Sequence, residues 1–238
     1  MYLCMRLFKN LDTMTAHTKE LLNNLTPQGA YAVLQEGNKR FVNNLKINRN
    51  LLQQMNETAS GQHPFAVVLS CMDSRTSVEL IFDQGLGDIF SIRIAGNIVN
   101  EDILGSMEFA CQVMGSKLIV VLGHTKCGAI KGACDDVKLG NLSGLLDKIK
   151  PAMKKTSHLG ESLGDHIYSE KVAYANVTHG MDEILERSPI INKLFKEGKI
   201  GLVGGMYSVE NGRVHFIKEM FSSEEKKQNH SSRLEMAQ

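Results

Sequence analysis

Two short groups of residues in this sequence bring together side chains that can do chemistry near neutral pH. They are Cys71-Met-Asp73-Ser-Arg75 and, beginning 53 positions after Cys71, His124-Thr-Lys-Cys127-Gly128. Thiolate, imidazole and thiolate form a soft to borderline donor set that suits tetrahedral zinc, with three protein ligands and a fourth place for water. His124 and Cys127 are three residues apart, so one turn can deliver both. A His-x-x-Cys pair alone says little; the second cysteine, beside a carboxylate and a guanidinium, gives it weight. On the residues alone, Cys71 and Cys127 can be read as metal ligands, as a redox dithiol or as small buried hydrophobes. The sequence has no Cys-x-x-Cys unit, which disfavours the redox reading. Cys4, Cys111 and Cys134 have no comparable neighbours and are read as core residues. Asp73 and Arg75 alone fit an ordinary surface ion pair, worth under about 1 kcal/mol.

Each group follows a run that reads as a buried strand, Phe65 to Ser70 and Lys117 to Leu122. Further runs at Ile89 to Ile94 and Ile200 to Tyr207 alternate with helical segments, several of them between 126 and 198. That texture predicts an α/β fold with a mainly parallel central sheet flanked by helices. Functional groups in such a sheet gather beyond the carboxyl ends of the strands, so the two groups converge if their strands are neighbours. Glu210-Asn211-Gly212 is a turn signal and Arg213 to Ile217 alternates, which predicts a C-terminal antiparallel edge strand. Gly204-Gly205 matches no phosphate-binding spacing and is assigned to close strand packing.

Residues 17 to 57 are polar, with helical spacing of Leu21, Leu22 and Leu25, then Ala30, Val33 and Leu34, then Phe41, Val42 and Leu45, broken by a helix start at Thr26-Pro27. The thin apolar stripe of this N-terminal helical arm is expected to lie on a partner. One domain is expected over 1–238, with the arm at 1–60 and a polar tail at 222–238.

The composition sets the boundaries of function. With 238 residues, 27 Lys+Arg against 26 Asp+Glu and 42% hydrophobic residues, the chain can fill a core without disulfides. No basic run with interleaved aromatics points to nucleic acid. No apolar stretch approaches the roughly 18 residues of a membrane span, so a soluble protein with no membrane partner is expected. The first ten residues lack the hydrophobic stretch of a secretory signal. Five cysteines, an odd number at no scaffold spacing, point to a reducing compartment and a cytoplasmic location.

Cys71-x-Asp73-x-Arg75 followed by Gly123-His124-x-x-Cys127-Gly128 resembles the β-class carbonic anhydrases. The likeness extends to Gly37-Asn38-x-Arg40-Phe41, Gln62-x-Pro64, Arg93-x-Ala95-Gly96-Asn97 and Gly105-Ser106-x-Glu108-Phe109, and covers roughly residues 28 to 220. It implies one Zn2+ per subunit held by Cys71, His124 and Cys127, with Asp73 and Arg75 as a catalytic dyad. The implied activity is reversible hydration of CO2 to bicarbonate and a proton by zinc-bound hydroxide. The implied substrate pocket includes Gln62, supplied across a dimer interface, with Phe90, Ala95, Phe109 and Gly128; the assembly would be a dimer or a dimer of dimers. Phe109 and Ala95 stand where plant relatives carry Tyr and Val, and a phenyl ring cannot relay a proton. His63 and His158 are candidate proton shuttles. Hydrolysis of CS2 or COS on the same fold is the neighbouring activity, and a structural zinc module or redox sensor the non-catalytic alternative. Some members of the class inhibit themselves by binding bicarbonate at a Trp, an Arg and a Tyr. Arg93 and Tyr207 match two of these, but Val68 stands at the Trp position, which predicts that the switch is missing.

Overall fold

The computed structural model describes residues 16–160 and 164–222. Cys4, the polar tail from residue 223 and the side chain of His158 lie outside the described residues. Three helices form the arm: α1 (Lys19–Asn24), α2 (Pro27–Val42) and α3 (Leu51–Thr58). Their starts follow from capping. Thr18, Thr26 and Asn50 each accept a hydrogen bond from the backbone N–H three residues on, and Pro27 opens α2, where its missing N–H costs nothing.

The sheet is built from β1 (Ala66–Ser70), β2 (Ile89–Arg93), β3 (Leu118–His124), β4 (Gly201–Tyr207) and β5 (Val214–Met220) in the order β2-β1-β3-β4-β5. The first four are parallel and β5 pairs antiparallel with β4, as the turn at Glu210-Asn211-Gly212 predicts. Between them lie α4 (Val78–Ile81), α5 (Glu101–Glu108), α6 (Gly128–Cys134), α7 (Gly140–Asp147), α8 (Lys150–Gly160), α9 (Asp165–Arg187) and α10 (Pro189–Lys196). Among the described residues no helix is long and apolar enough to cross a membrane.

Strand alternation divides the core in two. Val67, Leu69, Ile119 and Val121 face α5 and α9, whereas Ala66, Val68, Leu118 and Val120 face the arm. This corrects the expectation for the arm. Leu22, Leu25, Ala30, Val33 and Leu34 are buried against the chain's own sheet, because β1 and β3 need cover on both faces. What the arm leaves exposed is Leu45 and, on α3, Leu51, Leu52 and Met55.

The arm is also clipped in place. A Cβ at Gly37 would lie 1.8 Å from the Phe82 carbonyl oxygen, so only glycine lets α2 come this close. Asn38 donates to the carbonyls of Ile81 and Gly212 and accepts from Val214 N–H, and Arg40 and Arg49 pair with the buried Asp83. Gly204 serves helix packing more than strand packing: a Cβ there would meet Met181 Sδ at 2.6 Å and Val177 Cγ1 at 2.8 Å, both on α9. The long helix α9 is therefore seated tightly on β3 and β4.

Candidate metal centre

Strands β1 and β3 are neighbours, and the chain order turns from one direction to the other between them, which is where an open parallel sheet forms its crevice. Ser70 pairs with Leu122, so Cys71 leaves the end of β1 beside His124 at the end of β3. Lys126, with φ of 56°, turns the chain back, and Cys127 occupies the N-cap of α6. The donor atoms of Cys71, His124 and Cys127 all lie within 4.8 Å of one another, and the two sulfurs are 3.9 Å apart. All three residues are buried.

These residues fit a metal ion on their own chemistry. His124 Nδ1 faces the Thr125 carbonyl oxygen at 2.9 Å, which leaves Nε2 pointing inward. That nitrogen is buried and has no hydrogen-bond partner, an arrangement that costs free energy unless something binds there. The Cys127 thiol lowers the pKa of Cys71, and the same contact, with burial, raises that of Cys127, so the pair gives up one proton easily and holds the second. A divalent cation held by the two sulfurs and His124 would let both thiols stay deprotonated at neutral pH. Burial disfavours protonation of His124, but the neighbouring Cys71, with Thr125 and Asp73, outweighs it and raises its pKa.

Asp73 stands beside this triad without joining it. Its Oδ1 accepts from Arg75 N–H and Nε, each at 2.9 Å, and its Oδ2 from Nη2 at 2.8 Å. The Arg75 guanidinium holds the carboxyl far below its ordinary range, so it is ionised throughout the neutral region. Oδ2 is 4.0 Å from His124 Nε2. The loop between Cys71 and Asp73 is clamped from outside: Arg93 donates to the carbonyls of Cys71, Met72 and Asp73 at 3.3, 3.2 and 2.6 Å, and Thr76 to those of Cys71 and Asp73. Gly96 N–H points at Cys71 Sγ from 3.4 Å, and Asn176 of α9 donates to the Gly96 carbonyl at 2.8 Å.

The five expected pocket residues do not share one cavity. Phe90 on β2 and Phe109 meet edge to face at 6.3 Å and line a cleft of about 620 Å³ with Val67, Ile92, Gly105 and Ser106. Phe109 opens a π-helical turn (Phe109–Val113) that continues α5 and leaves its ring half exposed. Gly128 is exposed and lines a separate cleft of about 260 Å³ with Cys127, Glu170 and Ala173. Ala95, half-buried, begins the 3-10 turn (Ala95–Asn97) that carries Gly96. Gln62 is exposed, beside Gly87 on the segment entering β1, and His63 is partly buried next to it. Of the other cysteines, Cys111 is buried and its thiol pushed up to about 12 by that burial, as a core residue should be, whereas Cys134 is only half-buried. Sequence reasoning missed Glu170 and Asn176: each acts on a loop at least 44 residues away, and no local pattern announces such contacts.

Comparison with known proteins gives a consistent answer. A family model described as carbonic anhydrase matches residues 66–214. Carbonic anhydrase 2 of Mycobacterium tuberculosis is 34% identical over 196 residues, spanning 80% of this chain and 92% of that protein. The carbonic anhydrase of Mycolicibacterium smegmatis is 32% identical over 197 residues, spanning 80% and 93%. Among solved structures, a tetrameric β-carbonic anhydrase from Sordaria macrospora is similar with a TM-score of 0.65 and 26% identity, over 68% of this chain and 85% of that one.

Proposed function

This chain belongs to the β-class carbonic anhydrase family, and from that premise we propose that it catalyses reversible hydration of CO2 to bicarbonate and a proton, using one zinc ion held by Cys71, His124 and Cys127. The observation that carries this reading is a buried three-donor set beside a carboxylate kept ionised and turned aside by its own arginine. Zinc bound there supplies Lewis acidity that makes water a usable nucleophile near neutral pH. Asp73 accepts a hydrogen bond from the attacking water and so aims an oxygen lone pair at CO2. Arg75 keeps that carboxylate charged and off the metal. By its likeness to the family the chain would use Phe90, Ala95 and Phe109 as apolar walls that admit CO2 and shed charged bicarbonate, and Gly128 to leave room for a product oxygen. Stopped-flow CO2 hydration beside a CS2 hydrolysis assay tests the proposal: fast hydration with no CS2 turnover is expected, and the reverse would defeat it.

Cys71 and Cys127 together cancel the charge of a divalent cation, so water in this site is harder to ionise than beside three histidines, where the transition falls near about 7. Activity should therefore rise through a more alkaline transition. A kcat/KM profile already flat at its maximum by pH 6.5 would contradict this.

We also infer a dimer in which Gln62 reaches the neighbouring subunit's pocket. Support comes from its exposed position and from the uncovered Leu51, Leu52 and Met55 of α3. Sedimentation should find no active monomer at micromolar concentration, and finding one would refute the inference. A cytoplasmic location accords with the thiol ligands, which need a reducing compartment.

Self-inhibition by bicarbonate is not expected. Val68 is fully buried in the sheet and offers no donor, and the Arg93 guanidinium is committed to three backbone carbonyls. An anion there would leave oxygens unpaired, at about 1.5 to 3 kcal/mol for each lost charged hydrogen bond. Without differential affinity, bicarbonate cannot pull Asp73 away from Arg75. Rates measured against bicarbonate at pH 7 to 8 should show no cooperative inhibition; a sigmoidal loss of activity would overturn the claim.

A further inference from the structure

The loop that carries two of the three metal donors depends on a residue in an unfavourable conformation. Lys126 has φ of 56°, a region L side chains rarely adopt because Cβ crowds the backbone. It lies between His124 and Cys127, and its turn is what brings the Cys127 sulfur back towards His124. The sheet holds the start of this loop: Thr125 N–H donates to the Tyr207 carbonyl, and Thr125 Oγ1 accepts from Val209 N–H. The Lys126 peptide itself is held by α9, whose Glu170 accepts the Lys126 N–H through Oε1 at 2.7 Å. The side chain is held separately, with Lys126 Nζ donating to Glu210 Oε1 at 2.6 Å.

The same helix reaches the other thiolate. Asn176, 4% exposed, donates to the Gly96 carbonyl, and Gly96, itself at φ of 66°, aims its N–H at Cys71 Sγ. Close seating of α9 on Gly123 and Gly204 sets the height from which both side chains act. We propose that Glu170 and Asn176 are positioning residues for the metal centre, Glu170 fixing the turn that presents Cys127 and Asn176 fixing the amide that supports Cys71. This rests on the reading that the triad holds zinc, but not on the reaction that follows. Outer partners of metal ligands commonly influence affinity by about 10 to 100-fold.

The test is the rate at which the zinc-loaded protein releases metal to a chromogenic chelator. Glu170→Ala should release zinc about 10 to 100-fold faster than wild type. Glu170→Gln keeps an acceptor oxygen for the Lys126 N–H and should stay within about threefold, a rescue that a general loss of stability would not produce. If the alanine variant does not fold, Glu170→Asp replaces it, because it withdraws the carboxylate by one methylene and should release metal faster than Glu170→Gln. With Co2+ in place of zinc, Asn176→Leu, of similar size but unable to donate, should shift the thiolate-to-metal absorption. Wild-type release from Glu170→Ala, no rescue by Glu170→Gln, or an unchanged Co2+ spectrum in Asn176→Leu would each overturn the corresponding half. A wild-type protein that holds zinc but fails to hydrate CO2 would defeat the proposed function and leave this comparison intact.

Discussion

Alanine at Cys71, His124 or Cys127 should remove zinc and CO2 hydration together, with activity falling by about 10^4-fold or more to the uncatalysed background. Three donors leave no redundancy, and metal binding needs all of them at once. The geometry makes the loss local. Each donor leaves a different element, Cys71 the end of β1, His124 the end of β3 and Cys127 the cap of α6, so no neighbouring side chain can take its place. Asp73 is the nearest candidate, and it is held by three hydrogen bonds from Arg75. Cys111→Ala is the matched control: that thiol is buried in the core, apart from the triad, and its removal should leave zinc content unchanged. Metal analysis after dialysis, with hydration rates on the same samples, checks the prediction; a zinc-free variant with substantial hydration would contradict it.

Asp73→Asn separates holding the metal from using it. The amide matches the carboxylate in size and can still accept from Arg75, so the loop and the triad should keep their places and zinc should remain bound. What disappears is the charge that orients the nucleophile, and turnover should drop by about 10^2 to 10^3-fold. The wild-type carboxyl is depressed by Arg75, so its contribution is present at all pH values above the ordinary carboxylate range and is lost only when acid protonates it. The deficit of the variant should therefore be nearly constant from pH 6 to 9. Stopped-flow rates with parallel zinc analysis decide it, and near-wild-type hydration would remove Asp73 from the mechanism.

Much of this architecture could be read from the chain, for a physical reason. Parallel strands covered on both faces must be apolar along their length, and β1, β3 and β4 fall within two residues of the runs that predict them. The donor set was legible because soft ligands are scarce and strand ends are where they gather. The arm was harder. Its thin stripe at Leu22, Leu25, Val33 and Leu34 says that something covers it, but periodicity does not say whether that is a partner or the chain's own sheet. The Gly37-Asn38-x-Arg40 motif was visible only as a likeness; its meaning appears once Gly37 meets the Phe82 carbonyl and Asn38 bridges α4 to the β4–β5 turn. Phe90 lies on β2 and Gly128 opens α6, and within this chain the two line different clefts. Glu170 and Asn176 were illegible for a deeper reason: a helix that braces a distant loop leaves no trace in local composition.

The central claim is tested most directly by returning zinc to the metal-free protein, under reducing conditions, while measuring CO2 hydration. The account predicts activity that rises linearly with added zinc and stops rising at one ion per chain. Hydration that is present before zinc is added, or that stays at background once one equivalent is bound, would contradict it.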